Sequence, residues 1–282
     1  MRGRPYFYRK AVNAAALAMT GIAAAVTIGI LFGLLGYIVA HGAGALNWSF
    51  FTKLPAPVGE TGGGMANAIV GTLKLLLLAC AIGVPVGFLG GVYLAEFGRG
   101  RIAFLVRYAS DVLNGVPSIV VGIVAYTLIV LPMKQFSTLA GGVALGIIMI
   151  PIVVRSTEEI LKLVPNSVRE ASLALGIHEW KTVAFVVIPT ALRGVVAGLL
   201  LGLARVAGET APLLFTALSN RFWSHGWLEP TASLPVMVYT YAISPFDDWH
   251  RQAWAAALVL IAMVLGVNIL ARIGATRHAP HS

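Results

Sequence analysis

The sequence contains very few charged residues for its length. Only 11% of its 282 residues are Asp, Glu, Lys or Arg, whereas a soluble domain carries about 25%. Such a chain cannot cover a globule with a water-compatible surface, and its 58% hydrophobic content excludes intrinsic disorder. The single cysteine, Cys80, excludes a disulfide framework and a thiolate-based metal cluster. The composition therefore indicates a membrane protein.

Motifs for catalysis and nucleotide binding are missing as well. The chain has no Gly-Lys dipeptide, so it cannot contain a P-loop of the G-x-x-x-x-G-K-[ST] type. Neither G-x-S-x-G nor H-E-x-x-H occurs, which excludes the usual hydrolase nucleophile turn and the usual zinc protease helix. His278 and His281 lie in a polar tail, which we interpret as a solvated end rather than a metal site. The sequence thus predicts neither an enzyme nor a cofactor bound by this chain itself.

Long uncharged runs separate the few charged residues. Five runs without Asp, Glu, Lys or Arg reach 20 residues or more, and each can hold one membrane-spanning helix. A sixth run is interrupted only by Arg205 and Glu209. The first apolar run is too long for a signal peptide core, so we expect it to be retained. The sequence predicts an all-α integral membrane protein with six transmembrane helices, near residues 12–40, 67–95, 112–131, 137–154, 194–218 and 253–271.

The basic residues predict the orientation of these helices. Fourteen of the 20 Lys and Arg residues fall in the N-terminal segment, the loops 96–111 and 155–193, and the C-terminal tail. Four fall in the intervening loops, and Lys74 and Arg205 lie inside predicted spans. Because short cytoplasmic loops carry an excess of Lys and Arg, both termini are predicted to be cytoplasmic. The net charge of +9 is therefore interpreted as a topology signal rather than as nucleic-acid binding.

Pairs of glycines four residues apart recur in the predicted spans. In lipid such pairs let two helix backbones approach closely, and they serve either packing within the chain or pairing with another subunit. The pairs are Gly29/Gly33, Gly83/Gly87, Gly87/Gly91, Gly142/Gly146 and Gly198/Gly202.

The longest predicted cytoplasmic loop, residues 155–193, has helical character. Pro165-Asn166-Ser167 is a helix-start signal, and Ser167 with Glu170 has the spacing of a capping box. Gly176 interrupts the helical pattern, which resumes over 178–185. Two short helical pieces that are too polar for lipid and too short to fold alone indicate a docking element, although a simple surface loop is the alternative.

This loop resembles the EAA loop of binding-protein-dependent ABC importers. The matching residues are Glu170-Ala171-Ser172, then Gly176 six residues after the glutamate, and Pro189 nineteen residues after it. Ser172 replaces the second alanine of the pattern. The resemblance implies a type I, MetI-like permease fold in which Glu170, Ala171, Ser172, Gly176 and Pro189 couple to a separate ATPase subunit. ATP and Mg would then be used by that partner and not by this chain.

Further segments are similar to the A-type permease subunits of ABC importers for inorganic phosphate. They are residues 114–120, 161–165, 204–218 and 244–246. The resemblance implies a subunit that forms half of a phosphate pathway in the bacterial cytoplasmic (inner) membrane. Its expected partners are a second permease subunit of the C type, an ATPase dimer, an external phosphate-binding protein and membrane lipid.

The same resemblance sets the expected domain organisation. Residues 1–66 would hold the cytoplasmic N-terminus, the first transmembrane helix and an external loop. Residues 67–272 would form the permease domain, with five transmembrane helices and a coupling loop near 165–189, and residues 273–282 a cytoplasmic tail.

Two charges fall near the middle of the fifth predicted span. Arg205 and Glu209 are four residues apart, which would place them on one face of a helix, and a charge at that depth costs about 2.5–3.5 kcal/mol on insertion scales. They could form a structural ion pair, a proton relay or an anion site, and the resemblance favours a phosphate site. Arg155 is expected to be either a further cation on that pathway or a cytoplasmic anchor. Thr210 could donate to the anion or bond its own backbone.

Two other functions remain compatible with the sequence alone. An importer subunit for another oxyanion would carry the same loop and the same intramembrane charges. A carrier driven by an ion gradient would need no ATPase, which would leave residues 165–189 without a partner.

Overall fold

The computed structural model describes residues 6–277, which are helical apart from connecting loops. His278 and His281 lie outside the described residues. The helices are α1 (Tyr6–Gly42), α2 (Trp48–Thr52), α3 (Ala66–Val92), α4 (Gly100–Gly115), α5 (Ser118–Ala125), α6 (Leu131–Met133), α7 (Thr138–Lys162), α8 (Asn166–Ala174), α9 (Glu179–Thr182), α10 (Ile188–Ala207), α11 (Ala211–Thr216), α12 (Leu234–Ala242) and α13 (Asp247–Arg277).

Wider π-helical turns join several of these helices into longer ones. Residues Tyr93–Phe97 extend α3, Tyr126–Val130 join α5 to α6, and Val183–Val187 join α9 to α10. Five of the resulting helices are long and apolar enough to cross a membrane, and the bent pair Gly100–Gly115 with Ser118–Met133 would make a sixth. The prediction of an all-α membrane protein is confirmed.

Helices α3 and α7 form the centre of the bundle. A Cβ atom added at Gly83 would lie 2.8 Å from the Cβ of Met149. At Gly87 it would lie 2.6 Å from the Cβ of Val153. Real Cβ atoms do not approach so closely, so only glycine permits the observed separation of the two backbones. Within this chain, the glycine pairs of α3 therefore serve helix packing.

Helix α10 packs antiparallel to α7. A Cβ at Gly194 would meet Ile160, one at Gly198 would meet Ser156, and one at Gly202 would meet Ile152. The contacts step along α7 in the reverse direction, one turn at a time. We name the end of the bundle that carries α8 and the close of α7 the α8 end.

The fifth span differs from its prediction of residues 194–218. One continuous helix runs over Glu179–Ala207, and the chain then breaks before the short helix α11. Sequence reading placed the start too late because it treated Lys181 and Arg193 as outside the helix, yet both are exposed at the α8 end of it. The predicted end was too late because Gly208 terminates α10 and Pro212 opens α11.

The third span also differs from its prediction of residues 112–131. The chain bends by 102° between α4 and α5, at Val116 and Pro117. The residue before a proline avoids helical backbone angles, and Val116 accordingly has an extended conformation. The third candidate span is thus the bent pair of α4 with Ser118–Met133, and α4 contacts the close of α7, where Arg107 donates a hydrogen bond to Glu158.

Helix α1 lies at the edge of the bundle. Tyr37 stacks on His41 with ring centroids 4.0 Å apart, and Tyr37 also meets Trp254 of α13 edge to face at 5.2 Å. Elsewhere α1 is largely exposed, and a Cβ at Gly29 or Gly33 would meet no atom within 4 Å. This glycine pair therefore has no packing role within the described part of the chain.

Candidate functional site

The predicted coupling loop forms a helix, a glycine turn and a second helix. Helix α8 begins at Asn166, directly after Pro165, and no side chain caps it. The capping box predicted from Ser167 and Glu170 is therefore wrong. Pro165 occupies the N-cap position, and Ser167 lies inside the first turn of the helix. The predicted resumption of the helix after Gly176 is observed from Glu179 onward.

Gly176 ends α8 in a conformation that suits glycine. Its φ is +78°, which costs other residues about 1–2 kcal/mol. The Gly176 N–H donates to the carbonyl of Leu173 at 2.9 Å, and the Ile177 N–H donates to that of Ser172 at 3.4 Å. These two bonds define a Schellman motif, which turns the chain sharply from α8 into α9.

Ser172, the departure from the EAA pattern, has a bonding partner. Its hydroxyl lies 2.8 Å from that of Thr182, and both side chains are buried. This bond joins α8 to α9 across the glycine turn, so a serine fits here where an alanine would leave Thr182 unpaired.

Several large apolar side chains in and around the loop are exposed. Leu163 and Leu175 are 80% and 81% exposed, and Trp180 and Phe185 are also exposed. Patches of this kind mark interaction sites on proteins. Among the predicted coupling residues, Glu170, Ala171 and Gly176 are exposed on this loop, Ser172 is buried, and Pro189 lies farther on, exposed in the first turn of α10.

Arg169 anchors α8 to the bundle. Its Nε and Nη2 donate to the two carboxylate oxygens of Glu96 at 3.0 and 2.6 Å, and its Nη1 and Nη2 donate to the carbonyls of Val164 and Leu161. The hydrogen bond with Glu96 raises the pKa of the Arg169 guanidinium above its ordinary value. The side chain therefore stays charged throughout the physiological pH range.

Arg205 and Glu209 do not share a helix face. Arg205 lies in the last turn of α10, and Glu209 lies in the break beyond Gly208. Among residues 6–277 no ion pair joins them. The prediction of an i, i+4 pair is wrong because the helix ends two residues too early.

Arg205 nevertheless lies at mid-height along the bundle. Gly202, three residues earlier, packs at the level of Ile152 in α7, and three helical residues rise only about 4.5 Å. Arg205 is thus level with the middle of α7. Its side chain is exposed at the surface of this chain, and Glu209 and Thr210 beside it are half-buried. The Thr210 hydroxyl makes no hydrogen bond in the described structure, so it does not bond its own backbone.

Arg155 belongs to an ion cluster at the α8 end. Its Nε lies 3.1 Å from Oδ1 of Asp111, and its Nη1 lies 3.6 Å from Oε2 of Glu158. Glu158 is only 1% exposed and also accepts hydrogen bonds from Arg107 and Lys162. One buried carboxylate thus holds three cations, and Arg155 is available to an anion only in competition with it.

Sequence reasoning missed Glu158 and Glu96 as organising residues. The spacing of Arg155 and Lys162 around Glu158, three and four residues away, was a usable signal, but the predicted span ended at residue 154 and excluded them. The Glu96–Arg169 pair joins residues 73 positions apart, and no local pattern predicts such a contact. Among the described residues, no group of three or more His, Cys, Asp or Glu side chains could hold a metal ion.

Comparisons with known proteins agree on one family. The family model described as binding-protein-dependent transport system inner membrane component matches residues 83–281. The phosphate transport system permease protein PstA of Yersinia pestis is 45% identical over 251 residues, which cover 86% of this chain and 85% of that protein. The PstA protein of Haemophilus influenzae is 42% identical over 270 residues, which cover 95% of each.

Solved structures agree in fold. An inward-facing structure of the MetNI methionine ABC transporter matches with a TM-score of 0.59 at 19% identity, over 75% of this chain and 94% of that one. An amino acid ABC transporter with histidines gives a TM-score of 0.55 at 19% identity, over 76% and 92%. The fold and the resemblance predicted from the loop are confirmed, and the chain belongs to the family of binding-protein-dependent transport system inner membrane components.

Proposed function

We propose that the chain is a permease subunit of an ATP-driven importer of inorganic phosphate and forms half of its translocation pathway. The names and the 45% and 42% identities of the PstA relatives support phosphate as the substrate. The structural observation that carries the proposal is Arg205, a guanidinium without a carboxylate partner in the described chain, level with the middle of α7.

A guanidinium suits the transfer of phosphate through a membrane. Phosphate must lose its water, and bidentate, charge-assisted hydrogen bonds from arginine replace that water well. The free Thr210 hydroxyl adds a neutral donor beside it. Glu209 repels the anion or accepts a proton from it, so that phosphate is not bound too tightly to be released. Arg155 would receive the anion at the α8 end only after loosening its bonds to Asp111 and Glu158.

The coupling loop serves as the docking surface for a separate ATPase dimer. Its exposed leucines and aromatic residues offer the apolar area that a partner would cover, and Glu170 and Ala171 lie exposed on α8. The excess of Lys and Arg in the basic loops supports a location of the α8 end and both termini on the cytoplasmic side of a bacterial membrane. The remaining partners are a C-type permease subunit and an external phosphate-binding protein, with ATP and Mg used by the ATPase.

Reconstitution of the purified complex tests the proposed function. Proteoliposomes with the binding protein and internal ATP are expected to accumulate radiolabelled phosphate, and excess sulfate or molybdate should not compete. Competition by another oxyanion would identify a different substrate. Uptake that continues without ATP but requires an ion gradient would replace the importer with a carrier.

Replacing Gly176 with Ala is expected to lower ATPase-coupled uptake several-fold. The added Cβ cannot adopt the positive φ without strain of about 1–2 kcal/mol, so the turn between α8 and α9 shifts and the docking surface with it. The measurement is phosphate uptake per molecule of ATPase co-purified with the complex.

Gly100→Ala is the matched control for this variant. Gly100 also has a positive φ, of +71°, and no atom within 4 Å of an added Cβ. Its substitution imposes the same backbone strain outside the coupling loop. Equal uptake by the two variants would remove Gly176 from the coupling mechanism.

A further inference from the structure

Four hydrogen bonds from one side chain join three elements at the α8 end. Arg169 lies on α8, Glu96 lies in the last turn of the helix that continues α3, and Leu161 and Val164 carry carbonyls at the close of α7. The Leu161 carbonyl also accepts a hydrogen bond from the Val164 N–H at 3.2 Å, at the end of its own helix. A single guanidinium thus bonds both carbonyls and the carboxylate.

The bonds at this junction are of the strong kind. The pairing with Glu96 is bidentate and charge-assisted, which fixes angle as well as distance. Both side chains are largely shielded, at 19% exposed for Arg169 and 7% for Glu96. Solvent screening therefore weakens this pair less than it weakens an ordinary surface pair.

The two helices that Arg169 bonds, α3 and α7, are also closely packed. Gly83, Gly87 and Gly91 hold the second half of α3 close to the α7 backbone, and Gly91, near the junction, packs against Thr157. A displacement of α8 relative to α3 would break hydrogen bonds. A displacement of α3 relative to α7 would create steric overlap. The three elements are thus constrained to move together.

We propose that Arg169 holds α8, α3 and α7 together as one rigid unit, a connection we call the joint. A movement of the coupling loop is then transmitted to both spans at once. Arg169 is a positioning residue here, since it acts through Glu96 and the carbonyls of α7 and touches no transported ion. The inference rests on the proposed function for the source of the movement. Without the joint, α8 would move with the ATPase, and α3 and α7 would not move with it.

The first test compares coupling in the reconstituted complex. Arg169→Gln and Glu96→Gln are each expected to lower the phosphate transported per ATP hydrolysed by about tenfold, with assembly and basal ATP hydrolysis retained. Arg193→Gln is the control, because it removes an exposed charge at the same end of the bundle that makes no ion pair in the described structure. Wild-type coupling in both test variants would overturn the joint.

A conservative variant covers the case in which Arg169→Gln does not assemble. Arg169→Lys keeps the charge but cannot make the bidentate bond or reach both carbonyls. It is expected to assemble and to lose coupling. Full coupling in Arg169→Lys would show that charge alone is needed and would overturn the joint.

The second test does not depend on the substrate. Spin labels on Phe97→Cys and Ser167→Cys, in a Cys80→Ala background, report the distance between the end of the helix that continues α3 and the start of α8; both labelled positions are exposed. The distance is expected to stay constant when the ATPase is trapped with ATP, and to change in the Arg169→Gln variant. A change in the otherwise unaltered complex would overturn the inference. If the complex fails to transport phosphate, the proposed function fails, and this distance still decides the joint.

Discussion

Replacing Arg205 with Gln is expected to reduce phosphate uptake by about a hundredfold while the complex still assembles. Loss of one charged partner in a desolvated contact costs about 2–5 kcal/mol. Glutamine keeps much of the length and the hydrogen-bonding capacity but loses the charge. The measurement is initial uptake of radiolabelled phosphate into proteoliposomes that contain equal amounts of complex.

Variants of two other charged residues make this experiment more specific. Arg193→Gln removes a charge from the same helix at its α8 end, where the side chain is exposed, and should retain normal uptake. Glu209→Gln should alter release more than binding, since a carboxylate does not attract phosphate. Normal uptake in Arg205→Gln would remove Arg205 from the pathway. Loss of assembly in that variant would indicate that Arg205 pairs with a carboxylate of a partner subunit instead.

Replacing Gly87 with Leu is expected to destabilise the folded chain by about 3 kcal/mol or more, the upper range for overpacked cores. An added Cβ would lie 2.6 Å from the Cβ of Val153 and 3.0 Å from the carbonyl oxygen of Ile150. The backbone of α7 cannot yield, because α10 packs against it on another side. A thiol-reactive dye can follow unfolding, since Cys80 is the only cysteine and is partly buried on α3.

Gly29→Leu is the matched control for the packing variant. The same side chain is added in the same kind of helix, but no atom lies within 4 Å of the new Cβ. Its melting temperature in detergent should equal that of the unsubstituted chain. A Gly87→Leu variant that melted at the same temperature as Gly29→Leu would contradict the assignment of α3 and α7 as the packed centre.

The number of spans and the coupling turn were predictable because both depend on local composition. Twenty apolar residues suffice to define a span, and a glycine in a polar helical pattern suffices to indicate the turn at Gly176. The bend at Pro117 and the break at Gly208 were not predicted, for the opposite reason. Both lie within apolar sequence, and hydropathy does not distinguish a helix that continues from one that turns.

Some residues of the candidate site were predictable from the sequence and others were not, for the same reasons. Arg205 was identifiable because an isolated charge in an apolar run is costly wherever it lies. Its relation to Glu209 was not, since it depended on where α10 ends. Ser172 and Arg169 acquire their roles from Thr182 and Glu96, partners that only the folded chain brings close.

The edge position of α1 has a consequence for the order of folding during synthesis. A membrane chain emerges from its N-terminus, so α1 enters the bilayer roughly 200 residues before α13, the helix whose Trp254 meets its Tyr37. Until then α1 has only lipid beside most of its surface. Helix α1 is thus inserted well before α13, the helix that it packs against within the described chain.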